Sequence, residues 1–554
     1  MISDRTKLAL IIGLATTLAY GVALSMDWQR PYWAGLAIAV VGLSTFGESL
    51  FKGIQRLAGT VVGIAVALTT ISLFAQHRWL FATAISLWIG FCVWRMLSDS
   101  TRYYFWFCSA FIAPLLAMMS DFDSATSFYV IEERSKETAL GILCFTAAGL
   151  LLAARTAYDR QKDEISQLMD LLHERNEDIR HLILGRGRRP GANERSEKLA
   201  QGFMRLPTLH AATQLESFEG RERSHSWLML QDVLKKIAME LDHLGISLEA
   251  AQRLPDGNLP GQDRILHDLD EFSARLKSLA AIPTEGAAAY DPKEISPPHT
   301  VPEDFPGPTF EAGELLLRAD IIAELDARTH ECLALAADIS DQRFLTRKGE
   351  LPKRWQTILP DPESIYLSLM MMMIYWTGFL IYIYVPDIPD GPMLTILSVA
   401  MGINLCRTPW KPALAMLVPL SFACANGWIA HVLILPHLQG FFQLGLLIFG
   451  GTFFLAWIFP GEERVAPRLL SIVYFNIILK ISNDHQEFSA TYGMNLFMVI
   501  VLTLSLITFF QRFPISFRPE HQLRRYLFRF GHSLIRVLDD MRWDRPIAGS
   551  WLQR

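Results

Sequence analysis

Cysteine is sparse in this chain, six among 554 residues. They form no CxxC pair and no Cys/His ligand spacing, so neither a disulfide framework nor a zinc site is expected. Five of them, Cys92, Cys108, Cys144, Cys406 and Cys424, lie in or beside apolar segments, and Cys332 lies in a polar helical one. Walker A, HExxH and GxSxG sequences are also missing. The chain is therefore read as no enzyme, with no ATP hydrolysis, no cofactor and no metal. A formal net charge of -5 is small for this length and argues for no nucleic-acid partner. Acids are almost absent from the apolar segments: Glu48, Glu137, Asp387 and Asp390 all stand near the expected ends.

What the chain does have is apolar length. Hydrophobic residues make up 51% and the mean hydropathy is +0.23, which places it among membrane proteins. A bilayer core of about 30 Å asks for about 20 apolar residues per helix, fewer where a segment is broken or buried in protein. Candidates fall at 7–25, 31–47, 57–75, 79–97, 104–120 and 137–155, then at 364–385, 391–406, 411–432, 438–459, 467–482 and 494–511. The first run, Leu8 to Leu24, lacks a convincing small-residue cleavage site and is long for a signal sequence, so it reads as a spanning helix. The expected fold is an all-α membrane protein with two six-helix transmembrane repeats, 1–155 and 364–511. A cytoplasmic helical domain, 156–363, is inserted between them, and a basic cytoplasmic tail, 512–554, follows.

Cations give the orientation, because short cytoplasmic loops are the ones rich in Lys and Arg. With the N-terminus inside, the inner segments hold Arg5, Lys7, Lys52, Arg56, Arg95, Arg102, Arg155, Arg160 and Lys162, against Arg30, Arg78, Arg134 and Lys136 outside. In the second block, Arg407, Lys411, Arg464 and Arg468 are inner and Lys480 is outer. Both termini are expected in the cytoplasm. The blocks read as a degenerate repeat in which Arg30-Pro31-Tyr32-Trp33 corresponds to Asp390-Gly391-Pro392-Met393 and Lys52 to Lys411. Parallel repeats about an axis along the membrane normal follow, with substrate between them.

Within 156–363 three apolar stripes keep helical spacing: Ile165 to Ile183, Leu230 to Leu244 and Ile265 to Leu279. A further helix is expected from about Phe310 to Phe344. A basic turn, Gly185 to Gly191, and a Pro-rich loop, 283–308, interrupt the domain. In the tail, Arg524, Arg525 and Arg529 alternate with Leu523, Tyr526, Leu527, Phe528 and Phe530, which suits an amphipathic helix on the inner face in contact with membrane lipids.

The stretch Gln29 to Gly63 joins a Pro31-Tyr32-Trp33-Ala34 entry to Arg56-Leu57-Ala58-Gly59-Thr60-Val61-Val62-Gly63. This pairing resembles the fusaric acid resistance and aromatic acid exporter family of bacterial inner-membrane efflux proteins. The resemblance implies export of aromatic carboxylic acids or related toxic compounds. It also implies work alongside a periplasmic membrane-fusion adaptor and an outer-membrane channel, and relationship to plant malate channels. The second block lacks the RxxGTxxG signature.

An aromatic carboxylate asks for a cation and for flat apolar side chains. Arg30 with Tyr32 and Trp33 meets that need at the outer end of the second span; Arg95 with Trp94, followed by Tyr103 to Phe107 including Trp106, meets it near an inner end. The bland readings are an interfacial aromatic belt and a snorkelling cation. Asn404, Trp410, Asn426 and Asn476 are polar or amphipathic residues at membrane depth, explained equally by substrate and by helix–helix hydrogen bonds. Glu48 is the candidate proton carrier, set against an ion pair with Lys52 at i+4. Gly59 and Gly63 form a small-xxx-small face for close packing, within the chain or between subunits of a homo-oligomer. Two rival functions stay open: an organic-anion channel or uniporter, and a membrane-anchored scaffold or sensor whose cytoplasmic bundle is the working part.

Overall fold

The computed structural model describes residues 4–41, 46–74, 76–99, 101–119, 124–152, 156–252, 262–285, 310–340, 361–459, 464–483 and 486–542. The regular structure among them is helical. The chain divides into two compact units, Met1–Gly42 with Lys52–Ala154 and Ile358–Arg554, and Leu43–Phe51 with Arg155–Thr357.

The first unit holds α1 (Asp4–Ser25), α2 (Tyr32–Val41), most of α3 (Phe46–Phe74), α4 (Arg78–Ser98), α5 (Tyr103–Met119) and α6 (Ser124–Leu152). After the second unit it resumes with α13 (Pro362–Tyr384), α14 (Gly391–Leu405), α15 (Leu417–Ile429), α16 (Phe441–Ile458), α17 (Val465–Leu479), α18 (Ala490–Phe510) and α19 (Pro519–Arg542). Among the described residues, seven helices are long and apolar enough to cross a membrane: α1, α3, α4, α13, the Ala413–His437 stretch around α15, α16 and α18. Helices α5, α14 and α17 are apolar but shorter. The chain is a multi-pass membrane protein.

Three segments depart from the sequence reading. Helix α3 begins at Phe46 rather than near 57, so Glu48, Lys52 and Arg56 belong to it. Helix α6 starts at Ser124 rather than 137, and takes in Glu132, Arg134, Lys136 and Glu137. Lys136 pairs with Glu132 one turn away; an apolarity rule stops short of such self-paired charges. The segment around α15 is broken, with a tight turn at Ala413–Met416, a widened one at Ala430–Ile434 and a last tight one at Leu435–His437. Pro412 and Pro436, which cannot donate backbone hydrogen bonds, mark its two ends. Of the Pro-rich stretch 283–308, the first residues close a helix ending at Glu285 and the rest lies outside the described residues.

Packing in this unit pairs α1 with α16 and α4 with α13, α2 with α17 and α5 with α14, α2 with α6 and α14 with α18. Each pair has its counterpart when α1–α6 are exchanged for α13–α18. The Tyr20 hydroxyl donates to Asn476 Oδ1 at 2.7 Å, tying α1 to α17 in a buried position.

The second unit holds α7 (Ala157–Ile183), α8 (Ala192–Glu216), α9 (Phe218–Glu222), α10 (Ser224–Gln252), α11 (Gln262–Glu285) and α12 (Phe310–Ser340). The apolar stripes meet in one core that includes Ile165, Leu172, Leu234, Leu241, Leu269 and Phe272. Thr156 caps α7 by accepting from the Asp159 N–H. The basic turn has Gly185, Gly187 and Gly191 at φ 68, 73 and 79°, a left-handed backbone that glycine adopts freely. Arg195 pairs with the buried Asp178.

His210 on α8 is buried among Gln161, Gln214 and Ser224. Burial holds its imidazole down at about 4 from an ordinary 6.5. Between those values the unfolded chain binds a proton that the folded bundle refuses, so stability falls as pH drops from about 6.5 toward 4. The loss is on the order of 2 kcal/mol. Hydrogen exchange of α8 and α10, corrected for intrinsic rates, should show increasing opening over that range, and His210→Gln should remove most of the dependence.

Candidate functional site

Helix α3 carries Lys52 and Arg56 one turn apart, and the next turn carries Gly59. A Cβ on Gly59 would lie 2.5 Å from the Phe105 carbonyl oxygen and 2.8 Å from Cys108 Cβ; one on Gly63 would lie 2.8 Å from Ile112 Cβ. The small-residue face of α3 is thus filled within the chain by α5. Gln55 completes the junction by donating to the Thr101 carbonyl at 3.0 Å and accepting from the Phe105 N–H at 3.1 Å. Two helices held this close bring Lys52 and Arg56 against the first residues of α5, Tyr103 and Tyr104.

Arg56 Nη1 donates to the Tyr104 hydroxyl at 2.9 Å. Lys52 Nζ stands 4.8 Å from the centre of the Tyr104 ring, and Lys52 is only 8% exposed. The Arg407 guanidinium, from the turn after α14, lies 3.9 Å over the Tyr103 ring. Arg56 and Arg407 are the charged neighbours of Lys52. None of these three cations pairs with a carboxylate among the described residues, and Arg56 Nε is buried with no hydrogen-bond partner. Tyr104 stacks on Phe107 at 5.7 Å and Phe107 on Phe111 at 6.2 Å, so a ladder of rings runs from the cations along α5.

Lys52 is buried, Arg56 half-buried and Arg407 exposed; a buried cation without an anion is costly, and the tyrosine faces offset only part of that cost. Such a group can take an organic anion, with a carboxylate among the cations and an aromatic ring against the ladder.

The expected site residues fall into two further groups, with Asn404, Trp410, Asn426 and Glu48 apart from both. Arg95 lies 5.8 and 5.4 Å from the ring centres of Trp94 and Trp106, and both indole N–H groups are buried without partners among the described residues. Tyr32 and Trp33 are 5.2 Å apart, but the cation over Trp33 is Arg134, not Arg30. Asn404 donates to the Ala400 carbonyl of its own helix, and Trp410 is half exposed. Asn426 likewise bonds its own helix, at Phe422. Glu48, in the second unit, pairs with Arg160 at 3.5 Å.

Lys52, Arg56, Tyr104 and Arg407 were not singled out as ligands by sequence. The cations read there as topology markers, and Tyr104 was one ring in a run of five. Their shared signal was position, basic residues that the sequence reading put at the inner ends of two blocks; α2 pairs with α17 and α5 with α14.

The profile of the Fusaric acid resistance protein family matches residues 10–546. The Uncharacterized transporter YdhK of Salmonella typhimurium LT2 is 30% identical over 146 residues, 26% of this chain and 21% of that protein. Its namesake in Escherichia coli K12 is 30% identical over 134 residues, 24% and 20% of the two chains. The p-hydroxybenzoic acid efflux pump subunit AaeB of Enterobacter cloacae is 25% identical over 213 residues, 37% and 31% of the two chains. The chain thus covers between a fifth and a third of the length of these curated relatives. No solved structure matches.

Gly59 is the tightest point of the α3–α5 junction. Gly59→Ala should cost about 1–3 kcal/mol through overpacking against the Phe105 carbonyl. Gly450→Ala, with nothing within 4 Å of the new Cβ, should be neutral or gain up to about 1 kcal/mol from helix propensity. Thermal unfolding of the two variants in detergent checks the contrast.

Proposed function

The chain belongs to the fusaric acid resistance protein family, and on that premise we propose that it is a bacterial inner-membrane efflux transporter for aromatic carboxylates and related organic anions. The observation that carries the reading is the group of Lys52, Arg56 and Arg407 around Tyr103 and Tyr104, with no paired carboxylate among the described residues. A benzoate-like anion supplies the missing negative charge and a ring that can join Tyr104, Phe107 and Phe111. The p-hydroxybenzoic acid in the name of the AaeB relatives has this chemistry.

In this reading twelve helices cross the membrane as two parallel repeats, 1–155 and 364–511, and the reciprocal pairing of α1–α6 with α13–α18 supports it. Arg407 comes from one repeat and Tyr103 from the other, so substrate sits at their seam. The helical domain, 156–363, the tail, 512–554, and both termini face the cytoplasm. The cation group then stands at the cytoplasmic entrance, and Arg95 with Trp94 and Trp106 forms a second aromatic–cation station. A periplasmic adaptor and an outer-membrane channel complete the route, in keeping with the word subunit in the relatives' name.

Purified protein in liposomes should exchange radiolabelled p-hydroxybenzoate across the membrane. Arg56→Gln and Lys52→Gln should each raise the half-saturating concentration roughly 10- to 100-fold, the worth of one lost charge-assisted contact. Unchanged half-saturation in both variants would remove the cation group from the substrate path, and no exchange by the wild type would remove the transporter reading.

A further inference from the structure

Elsewhere in the first unit one carboxyl is buried without a partner. Glu137 on α6 is 1% exposed. Both of its oxygens are buried and have no hydrogen-bond partner among the described residues. One turn on, Gly141 lets α6 approach α2 so closely that a Cβ there would lie 2.6 Å from the Ala34 carbonyl oxygen. Water has little room at such a junction.

Among the described residues, the charged and titratable groups that face Glu137 come from each neighbouring element. Helix α6 supplies Arg134 and Glu133, the entry to α2 supplies Arg30 and Tyr32, and α1 supplies Tyr20. The Arg30 backbone N–H also points toward the carboxyl, short of a well-formed bond. Arg134 is itself 7% exposed and occupied elsewhere. Its guanidinium covers the Trp33 ring, and Nη2 lies 3.0 Å from Met119 Sδ. Two arginines therefore stand beside a carboxyl that neither of them bonds. An ionised carboxylate without hydrogen bonds in such a place costs several kcal/mol, whereas a neutral carboxyl costs far less. Ionisable groups inside a membrane bundle are retained where function needs them.

We propose that Glu137 is the proton-carrying group of the transport cycle, neutral in the conformation described here and ionised in another in which Arg134 leaves Trp33 to pair with it. The proton is taken from water on one side, held as the carboxyl O–H, and given to water on the other as that bond breaks. Organic anion moves the opposite way. The inference rests on the transporter reading and adds to it a coupling ion and the residue that binds it.

The test uses the full chain in liposomes with radiolabelled p-hydroxybenzoate and two measurements. One is counterflow with no gradients; the other is accumulation driven by a pH gradient with the potential clamped at zero. The wild type should do both. Glu137→Gln should keep counterflow and lose the pH-driven accumulation, down to the level of protein-free liposomes. Glu137→Asp should keep both, with a displaced pH profile. Glu137→Gln that still accumulates substrate overturns the proposal, as does a wild type that exchanges substrate but ignores the pH gradient. Loss of counterflow in Glu137→Gln also overturns it, since the residue is then needed for binding or folding. A wild type without counterflow is a different result, the failure of the transporter reading itself.

Discussion

Hydrocarbon offers no hydrogen bonds, so every polar group at membrane depth has to find its partner inside the protein. Most of those in the apolar helices do so locally. Thr16, Thr70, Ser368, Thr377 and Thr452 donate to the carbonyl one turn back in their own helices, as does Asn404. Asn476 reaches across, accepting from Tyr20 while donating to Ile472. Among the described residues two charged exceptions stand out: Lys52 and Arg56 without an anion, and Glu137, whose carboxyl oxygens have no well-formed hydrogen bond; the neutral Ser86, Ser109, Tyr375 and Thr395 hydroxyls also lack a partner there. A structural role is served by satisfied groups. In the proposed reading, the unsatisfied charged ones are where an anion or a proton completes the site.

Both exceptions depend on glycine. Lys52 and Arg56 reach Tyr104 because Gly59 and Gly63 let α3 lie against the backbone of α5, and Glu137 is sealed because Gly141 lets α6 lie against α2. Close approach therefore serves the chemistry in two ways, by collecting cations around rings and by shutting water away from a carboxyl. Where glycines meet no neighbour, as at Gly149 and Gly450, no such site has formed. Helix α3 is divided between the two units. Its first residues belong to the second unit, where Glu48 pairs with Arg160 and Glu216 accepts from the Ala157 N–H at 2.6 Å.

Helices were legible in the sequence because apolar periodicity and length are local properties. The stripe from Ile165 to Ile183 lies in the core of the second unit, as its spacing implied. The limits of α3 and α6 were not legible, because the rule for spanning segments stops at charges, and here the charges continue the helix in protein contact. The candidate sites were legible in kind but only partly in membership. Arg95, Trp94 and Trp106 come together as their aromatic and basic character suggested. Trp33 has a cation above it, but from Arg134, about a hundred residues away in sequence. Arg407 meets Tyr103 across some three hundred residues. Which cation meets which ring is a property of helix pairing, and a single sequence carries that only faintly.

Under the proposed coupling, the energetics explain why a carboxyl such as Glu137 would be kept despite its cost. At 100 mV, negative inside, one departing anion gains about 2.3 kcal/mol from the potential, which sustains a gradient of roughly 50-fold. That suffices for a uniporter. Exchange of one anion for one entering proton moves two charges in the favourable sense, about 4.6 kcal/mol at the same potential. A pH difference of one unit adds about 1.4 kcal/mol. The supported gradient then rises to roughly ten-thousandfold. A toxic acid that re-enters in its neutral form has to be expelled against continuous leak, so this difference decides whether export protects the cell. In the proposed reading the cations around Tyr103 and Tyr104 select the anion, but the steeper gradient needs one group that gives up and regains a proton.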